Sequence, residues 1–336
     1  MTTTPMLPLG DEALEERLHP VLDHVEHELR EAVVGADRLV DPATAHLAAA
    51  GGKRLRPLLT LLAAELGGGQ NEQVRAAAVA VELTHLATLY HDDVMDSATM
   101  RRGAPTAHEV WGNSVAILTG DLLFARASRI IASLGAEAVR VHAETFERLC
   151  LGQLHETMGP VDGEDAVAHY LQVLADKTGS LIATSARYGA TFSDAPPEIA
   201  RMLMRYGQKV GVAFQLADDV IDLSDDSATT GKTPGTDLRE GVDTMPVLLL
   251  RQRQATGALD ASGVAVLDRL RAEELSSEET LRSLVADLRA HEVVAEARSL
   301  AERWAHDAVA ELDPLPESSV KDAFTAFARL LVDRLA

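Results

Sequence analysis

Apolar residues recur at three- and four-residue intervals along nearly the whole of this 336-residue chain, and alternating β-branched runs are scarce. That period lays a continuous apolar stripe along an α-helix, so an all-α fold is expected. Ala, Leu, Glu and Arg dominate, and all four are good helix formers. Helix starts are marked at Asp41-Pro42, Arg56-Pro57, Asn71 and Pro196-Pro197, where a capping side chain or a first-turn proline suits the free N–H groups. Stops are marked at Gly51-Gly52, Gly67 to Gly69 and Gly159-Pro160. Asn71 to Ser97 and Pro197 to Asp226 are long enough to cross a large bundle, and about a dozen helices are expected. No fixed-period repeat or composition shift divides the chain. Residues 1–336 are therefore expected to form a single-domain helical bundle, with 1–10 frayed and 257–336 supplying packing helices without chemistry.

Charge narrows the function. Asp and Glu total 52 against 31 Lys and Arg, giving a net charge of -21, which repels a nucleic-acid backbone and excludes it as a partner. Any anionic substrate must then be held by a local basic cluster or by bound cations. The single cysteine, Cys150, cannot form an internal disulfide; its leucine neighbours suggest a buried thiol, and a cytoplasmic location is expected. The first thirty residues lack the order of a signal peptide, and no apolar run approaches the roughly 18 residues of a transmembrane helix.

Two DDxxD motifs stand out. Asp92, Asp93 and Asp96 form DDVMD, and Asp218, Asp219 and Asp222 form DDVID. With 26 Asp in the chain, chance supplies roughly 0.15 copies of such a motif. On a helix the first and fifth residues share a face, so Asp92 with Asp96, and Asp218 with Asp222, form like-charged pairs. No Lys or Arg lies one turn away to relieve them. A divalent cation would, and hard oxygen donors select Mg²⁺ or Ca²⁺; Mg²⁺ completes its shell with water and substrate phosphate. Two such pairs facing each other would clamp a diphosphate. An acidic, solvated helix end is the plainer account of one motif alone.

Basic residues lie beside these motifs. GGKRLRP, Gly51 to Pro57, puts Lys53, Arg54 and Arg56 on a glycine-released turn entering a helix N-terminus, a suitable anion site. Arg101 and Arg102 follow the first motif, Lys177 lies in KTGS, where Gly179-Ser180 can kink a helix, and Lys232 lies in GKTPGTD after the second motif.

Together GGKRLRP, HLATLYHDDVMDSATMRRG (His85 to Gly103), KTGS, FQLADDVIDLSDD and GKTPGTDLREG closely resemble the trans-polyprenyl diphosphate synthases. The likeness runs from about Gly51 to Pro246. It implies an all-α, isoprenoid-synthase-type bundle, usually homodimeric, with a central cavity whose mouth carries both Asp motifs. It implies head-to-tail addition of isopentenyl diphosphate to an allylic diphosphate. By that resemblance Asp92, Asp96, Asp218 and Asp222 bind Mg²⁺, three ions with substrate bound. Arg101, Lys177, Thr178, Gln215 and Lys232 match the allylic site, and Lys53, Arg56, His85 and Arg102 the isopentenyl diphosphate site. Lys177, Thr178 and Gln215 are expected to stabilise the allylic cation through a carbonyl and an amide dipole. One departure is Val242: many relatives end this loop in GKxT, whereas this chain reads Gly241, Val242, Asp243, Thr244. Lys232 and Arg101 must then carry more of the allylic grip.

Short-chain relatives place bulky aromatics four and five residues before the first Asp. Here those positions are Thr88 and Ala87, followed down the helix by Thr84 and Val81. Roughly two further isoprene units would meet no large obstacle along this helix, which favours long chains of roughly thirty carbons or more. A short-chain farnesyl or geranylgeranyl synthase is the alternative, if residues on other helices close the cavity. A class I terpene cyclase would not need Lys53, Arg56 and Arg102, and a non-catalytic partner subunit would tend to lose the aspartates. A di-iron bundle could use Glu82-x-x-His85, with Glu16-x-x-His19 as its second copy. His91, His142 and His155 are expected to be ordinary helix residues.

Overall fold

The helical period is realised throughout the residues described by this computed structural model, 6–35, 37–224, 234–272 and 275–332. In chain order these form α1 (Glu12–Ala32), α2 (Asp41–Ala49), α3 (Leu55–Ala64) and α4 (Glu72–Met95). A two-residue hairpin follows, β1 (Met100–Arg101) with β2 (Ala104–Pro105), then α5 (Ala107–Trp111), α6 (Asn113–Ser133), α7 (Ala136–Met158) and α8 (Ala166–Leu174). A π-helical turn, Ala175–Gly179, leads to α9 (Ser180–Phe192), α10 (Pro197–Ile221), α11 (Thr236–Arg239) and α12 (Met245–Thr256). The remainder is α13 (Ala261–Ala272), α14 (Glu278–Ala290), α15 (Glu292–Ala310) and α16 (Ser319–Val332).

Element ends follow local chemistry. Asn71 caps α4, its side chain accepting from the Val74 N–H at 2.9 Å. Asp165 caps α8 in the same way, and α10 begins on Pro197 as the first-turn rule expects. The N-terminal expectation needs correction: Leu9 is buried and the Gly10 N–H donates to the Glu15 carboxylate, so residues 9 and 10 are held rather than frayed. Cys150 is exposed, not buried, because it sits a third of a turn around α7 from the buried Leu149.

By contacts the chain forms two compact units. The first comprises residues 1–148, 180–208 and 309–327. Its core joins Leu58, Leu61 and Leu62 of α3, Ala77, Ala80 and Leu83 of α4 and Ala186 of α9. Arg54, just before α3, is 3% exposed; its guanidinium reaches Glu26 of α1 at 2.5 Å and Glu82 of α4 at 3.1 Å. Arg54 is thus a structural cation tying three helices, although the sequence placed it among the anion-binding candidates. Gly189 of α9 permits another close approach, since a Cβ there would sit 2.1 Å from the Thr60 carbonyl oxygen of α3. Gly189→Ala is expected to cost about 1–3 kcal/mol by forcing those backbones apart. Urea unfolding measures this, and a loss below about 0.5 kcal/mol would contradict the contact.

The second unit comprises residues 149–179, 209–308 and 328–336. Its apolar core brings together Leu174 of α8, Val212 and Leu216 of α10, Val247 and Leu250 of α12 and Leu267 of α13. Leu281, Leu284 and Leu288 of α14 and Ala297 and Ala301 of α15 complete it. Each buried leucine contributes roughly 1.5–3 kcal/mol relative to exposure, so this part of the chain carries a full core of its own.

Candidate active site

In the first unit the Asp92 motif ends a helix. Asp92 lies in the last turn of α4 and Asp96 is its C-cap, the Asp96 N–H bonding to the Asp92 carbonyl at 2.8 Å. Both carboxylates therefore stand where the helix dipole is negative and the last carbonyls lack helical partners, an arrangement that favours a cation. Asp93 projects elsewhere. One residue is 100° of rotation, and Asp93 is fully buried, with Arg101 Nε and Nη2 both 2.7 Å from its Oδ1. Burial still raises its pKa, with Arg101 opposing, and Asp93 Oδ2 has no hydrogen-bond partner. Arg101, expected at the allylic site, is in this structure the partner of Asp93.

The hairpin places the two arginines. Arg102 and Gly103 at its tip have φ of 54° and 78°, the left-handed pair required by a tight two-residue turn. Arg102 Nη1 donates to the Gly51 carbonyl. Gly52 makes room: a Cβ there would lie 2.7 Å from Arg54 Nη1 and 2.8 Å from Arg102 Nη1. Arg56, His85 and Arg102 come together. Burial lowers the Arg56 pKa to about 10, with Glu82 opposing and Arg102 assisting. Burial, then Arg56 and Arg102, press His85 well below its ordinary value and keep its ring neutral. Arg56 Nε is buried with no hydrogen-bond partner. Lys53, from the same sequence run, is exposed. A partly dehydrated cation pair beside a neutral imidazole donor is suited to an anion such as a diphosphate. Glu82 is engaged by Arg54, and His19 pairs with Asp23 at 3.5 Å, so the two Glu-x-x-His segments do not build a di-iron centre.

Below the motif, a cavity of about 180 Å³ is lined by Ala87, Thr88, His91, Asp121, Phe124 and Phe146. Ala87 and Thr88 thus border open space. Thr84 and Val81 are buried, the Thr84 hydroxyl donating to the Ala80 carbonyl at 2.8 Å. The far side is aromatic: Phe124 of α6 and Phe146 of α7 lie 3.8 Å apart between ring centroids, with His142 stacked on Phe124 at 5.1 Å. Burial lowers the His142 pKa to about 4. His91 contributes to the lining, its Nε2 3.1 Å from the Ile117 carbonyl oxygen and 3.3 Å from Asp121. Gly120 of α6 faces it; a Cβ there would be 2.4 Å from His91 Nε2 and 3.0 Å from the Ala87 carbonyl oxygen.

In the second unit the Asp218 motif repeats the pattern. Asp218 lies in the last turn of α10, and the Asp222 N–H bonds to its carbonyl at 2.9 Å. Asp219, like Asp93, is buried; it accepts from the Tyr170 hydroxyl at 2.9 Å and the Met245 N–H at 3.2 Å. Burial raises its pKa to about 8. Ala175–Gly179 forms the π turn, which wraps past α10 where a Cβ on Gly211 would meet Gly179 Cα at 2.4 Å. The Thr178 hydroxyl donates to Gln215 Oε1 at 3.4 Å, and Lys177 Nζ lies 2.5 Å from Glu156 Oε2. Lys232 lies outside the described residues. Val242 is 39% exposed.

Each motif offers two carboxylates one turn apart. Among the described residues no group of three or more His, Cys, Asp or Glu is assembled as a cage. That donor set fits an ion such as Mg²⁺, which binds through one or two carboxylates and keeps positions for water and substrate phosphate. Sequence reasoning missed the anchoring role of Asp93 and Asp219, the aromatic pair, and Glu156. Only the first had a signal, since the middle aspartate cannot share the face of the other two.

Comparisons with known proteins agree on one family. The family model described as Polyprenyl synthetase matches residues 37–286. The nonaprenyl diphosphate synthase of Mycobacterium tuberculosis is 42% identical over 97% of this chain and 96% of that protein. A polyprenyl synthase from Caulobacter crescentus, solved with calcium and isoprenyl diphosphate, superimposes with a TM-score of 0.87 at 31% identity, covering 96% of this chain and 97% of that one. A geranylgeranyl pyrophosphate synthase from Corynebacterium glutamicum, solved with the same ligands, gives 0.85 at 41% identity over 97% of this chain and 98% of its own.

Proposed function

The chain belongs to the polyprenyl synthetase family and is a prenyltransferase, and on that premise we propose its reaction. It condenses isopentenyl diphosphate with an allylic diphosphate, repeatedly and head to tail (1′-4), to an all-trans polyprenyl diphosphate of roughly thirty carbons or more. The observation that carries this reading is the cluster of Arg56, His85 and Arg102, supplied by the segments that flank and hold the Asp92 motif. It provides for a second diphosphate, which a terpene cyclase does not need.

Asp92, Asp96, Asp218 and Asp222 would hold Mg²⁺, three ions with substrate bound. When bound, Mg²⁺ supplies Lewis-acid stabilisation of charge on the departing diphosphate oxygens. Arg101, Lys177 and Lys232 grip the allylic diphosphate, and Lys53, Arg56, His85 and Arg102 hold isopentenyl diphosphate. Thr178 and Gln215 direct their dipoles toward the allylic cation, and no protein nucleophile is required. The whole chain works as one polyprenyl synthase domain, as a homodimer, in the cytoplasm. No helix among the described residues is long and apolar enough to cross a membrane.

Small residues at Ala87 and Thr88, together with a long-chain relative, support the long product. The aromatic pair Phe124 and Phe146 favours the second reading, a product stopped at twenty carbons. Incubating the protein with Mg²⁺, farnesyl diphosphate and isopentenyl diphosphate decides between them. Chains of thirty carbons or more are expected. A stop after one addition would overturn the long-chain reading, and no magnesium-dependent release of diphosphate would overturn the reaction itself.

A further inference from the structure

Lys177 makes a close polar contact with a residue outside every motif. Lys177 Nζ lies 2.5 Å from Glu156 Oε2, and the two side chains are 26% and 30% exposed. The contact is built by backbone. Gly152 of α7 is pressed against the π turn so closely that a Cβ would fall 2.6 Å from Lys177 N and 3.0 Å from Lys177 Cα. Glu156 is one helical turn further along the same face of α7, so the approach at Gly152 delivers its carboxylate to the lysine. The π turn's opening is held by a second contact, with Gln172 Nε2 donating to Asp176 Oδ2 at 2.7 Å.

We propose that Glu156 is a positioning residue for the reaction, fixing the Lys177 ammonium where the allylic diphosphate is received. The inference rests on the assignment of Lys177 to that diphosphate. A lysine is a point charge on a flexible four-carbon stem, and without a fixed partner it samples many rotamers. Glu156 restrains it. Its own negative charge opposes an incoming anion, so Glu156 weakens ground-state binding while improving geometry. Negative charge grows on the diphosphate as its bond to carbon breaks, and a correctly placed ammonium then acts most strongly.

The two effects have opposite signs, and this makes them separable. E156Q is expected to lower kcat roughly tenfold to a hundredfold, the cost of a misplaced group. Its affinity for farnesyl thiolodiphosphate with Mg²⁺, read by calorimetry, is expected to be unchanged or several-fold tighter. Its melting midpoint should match the parent, and E156D should recover part of kcat. In a K177Q background, adding E156Q should change kcat by less than about twofold, since Glu156 acts through the lysine. An E156Q variant within twofold of the parent would overturn the proposal. So would equal losses with and without Lys177, or affinity, kcat and midpoint falling together as from a damaged fold. If the unmodified protein releases no diphosphate, the assigned reaction fails and takes this inference with it; an active parent with an unaffected variant removes the inference alone.

Discussion

Asp92→Asn is expected to leave a well-folded protein whose kcat for diphosphate release has dropped by about three orders of magnitude or more. Lewis-acid stabilisation of a leaving group is worth several kcal/mol, and each 1.36 kcal/mol is a factor of ten in rate. Stability should move the other way. Asp92 and Asp96 repel each other and stand at the negative end of α4, so neutralising one relieves about 0.3–1 kcal/mol in the metal-free protein. Asp93→Asn should show a different signature, losing stability because it strips Arg101 of a fully buried partner. Steady-state kinetics with urea unfolding on the two variants separates the roles. An Asp92→Asn protein retaining more than a tenth of its activity would remove the motif from the chemistry.

The second large effect concerns product length. Ala87→Phe places a phenyl ring in the cavity lined by Ala87, Thr88, Phe124 and Phe146. A dry cavity of about 150 Å³ admits a benzene molecule, so a ring fits in about 180 Å³ and fills most of it. Chains should then stop at about fifteen or twenty carbons, while the first condensation keeps its rate within a few fold. Phe146→Ala should act in reverse by opening the far wall. Chromatography of the released alcohols reads both. Identical product ladders from the parent, Ala87→Phe and Phe146→Ala would mean that the growing chain runs elsewhere.

Much of the fold could be read in advance because helix chemistry is local. Asn71 reaches only three residues to cap α4, and Gly51, at a φ of 85°, follows α2 where backbone freedom is needed. The Asp motifs were legible for the same reason, as i,i+4 spacing fixes a face without knowledge of any partner. What failed was pairing over distance. Lys53, Arg54 and Arg56 are alike in sequence, yet Arg54 hydrogen-bonds Glu26 and Glu82, each 28 residues away. Phe124 and Phe146 approach the Ala87 face from other helices, and α4 carries no trace of them. Glu156 meets Lys177 across 21 residues, through a glycine whose value lies in what it lacks.

Gly120 sets a limit of another kind. Because α6 meets the His91 ring and the Ala87 carbonyl through a bare α-carbon, anything added at Gly120 would collide with an imidazole and with main chain together. Not even a methyl group is accommodated, so any addition would turn the His91 ring aside or spread the two helices. The approach of α4 and α6 at that level is thus held by the lack of a side chain, while the space beside it is shaped by residues that can be exchanged, Thr88, His91, Phe124 and Phe146 among them.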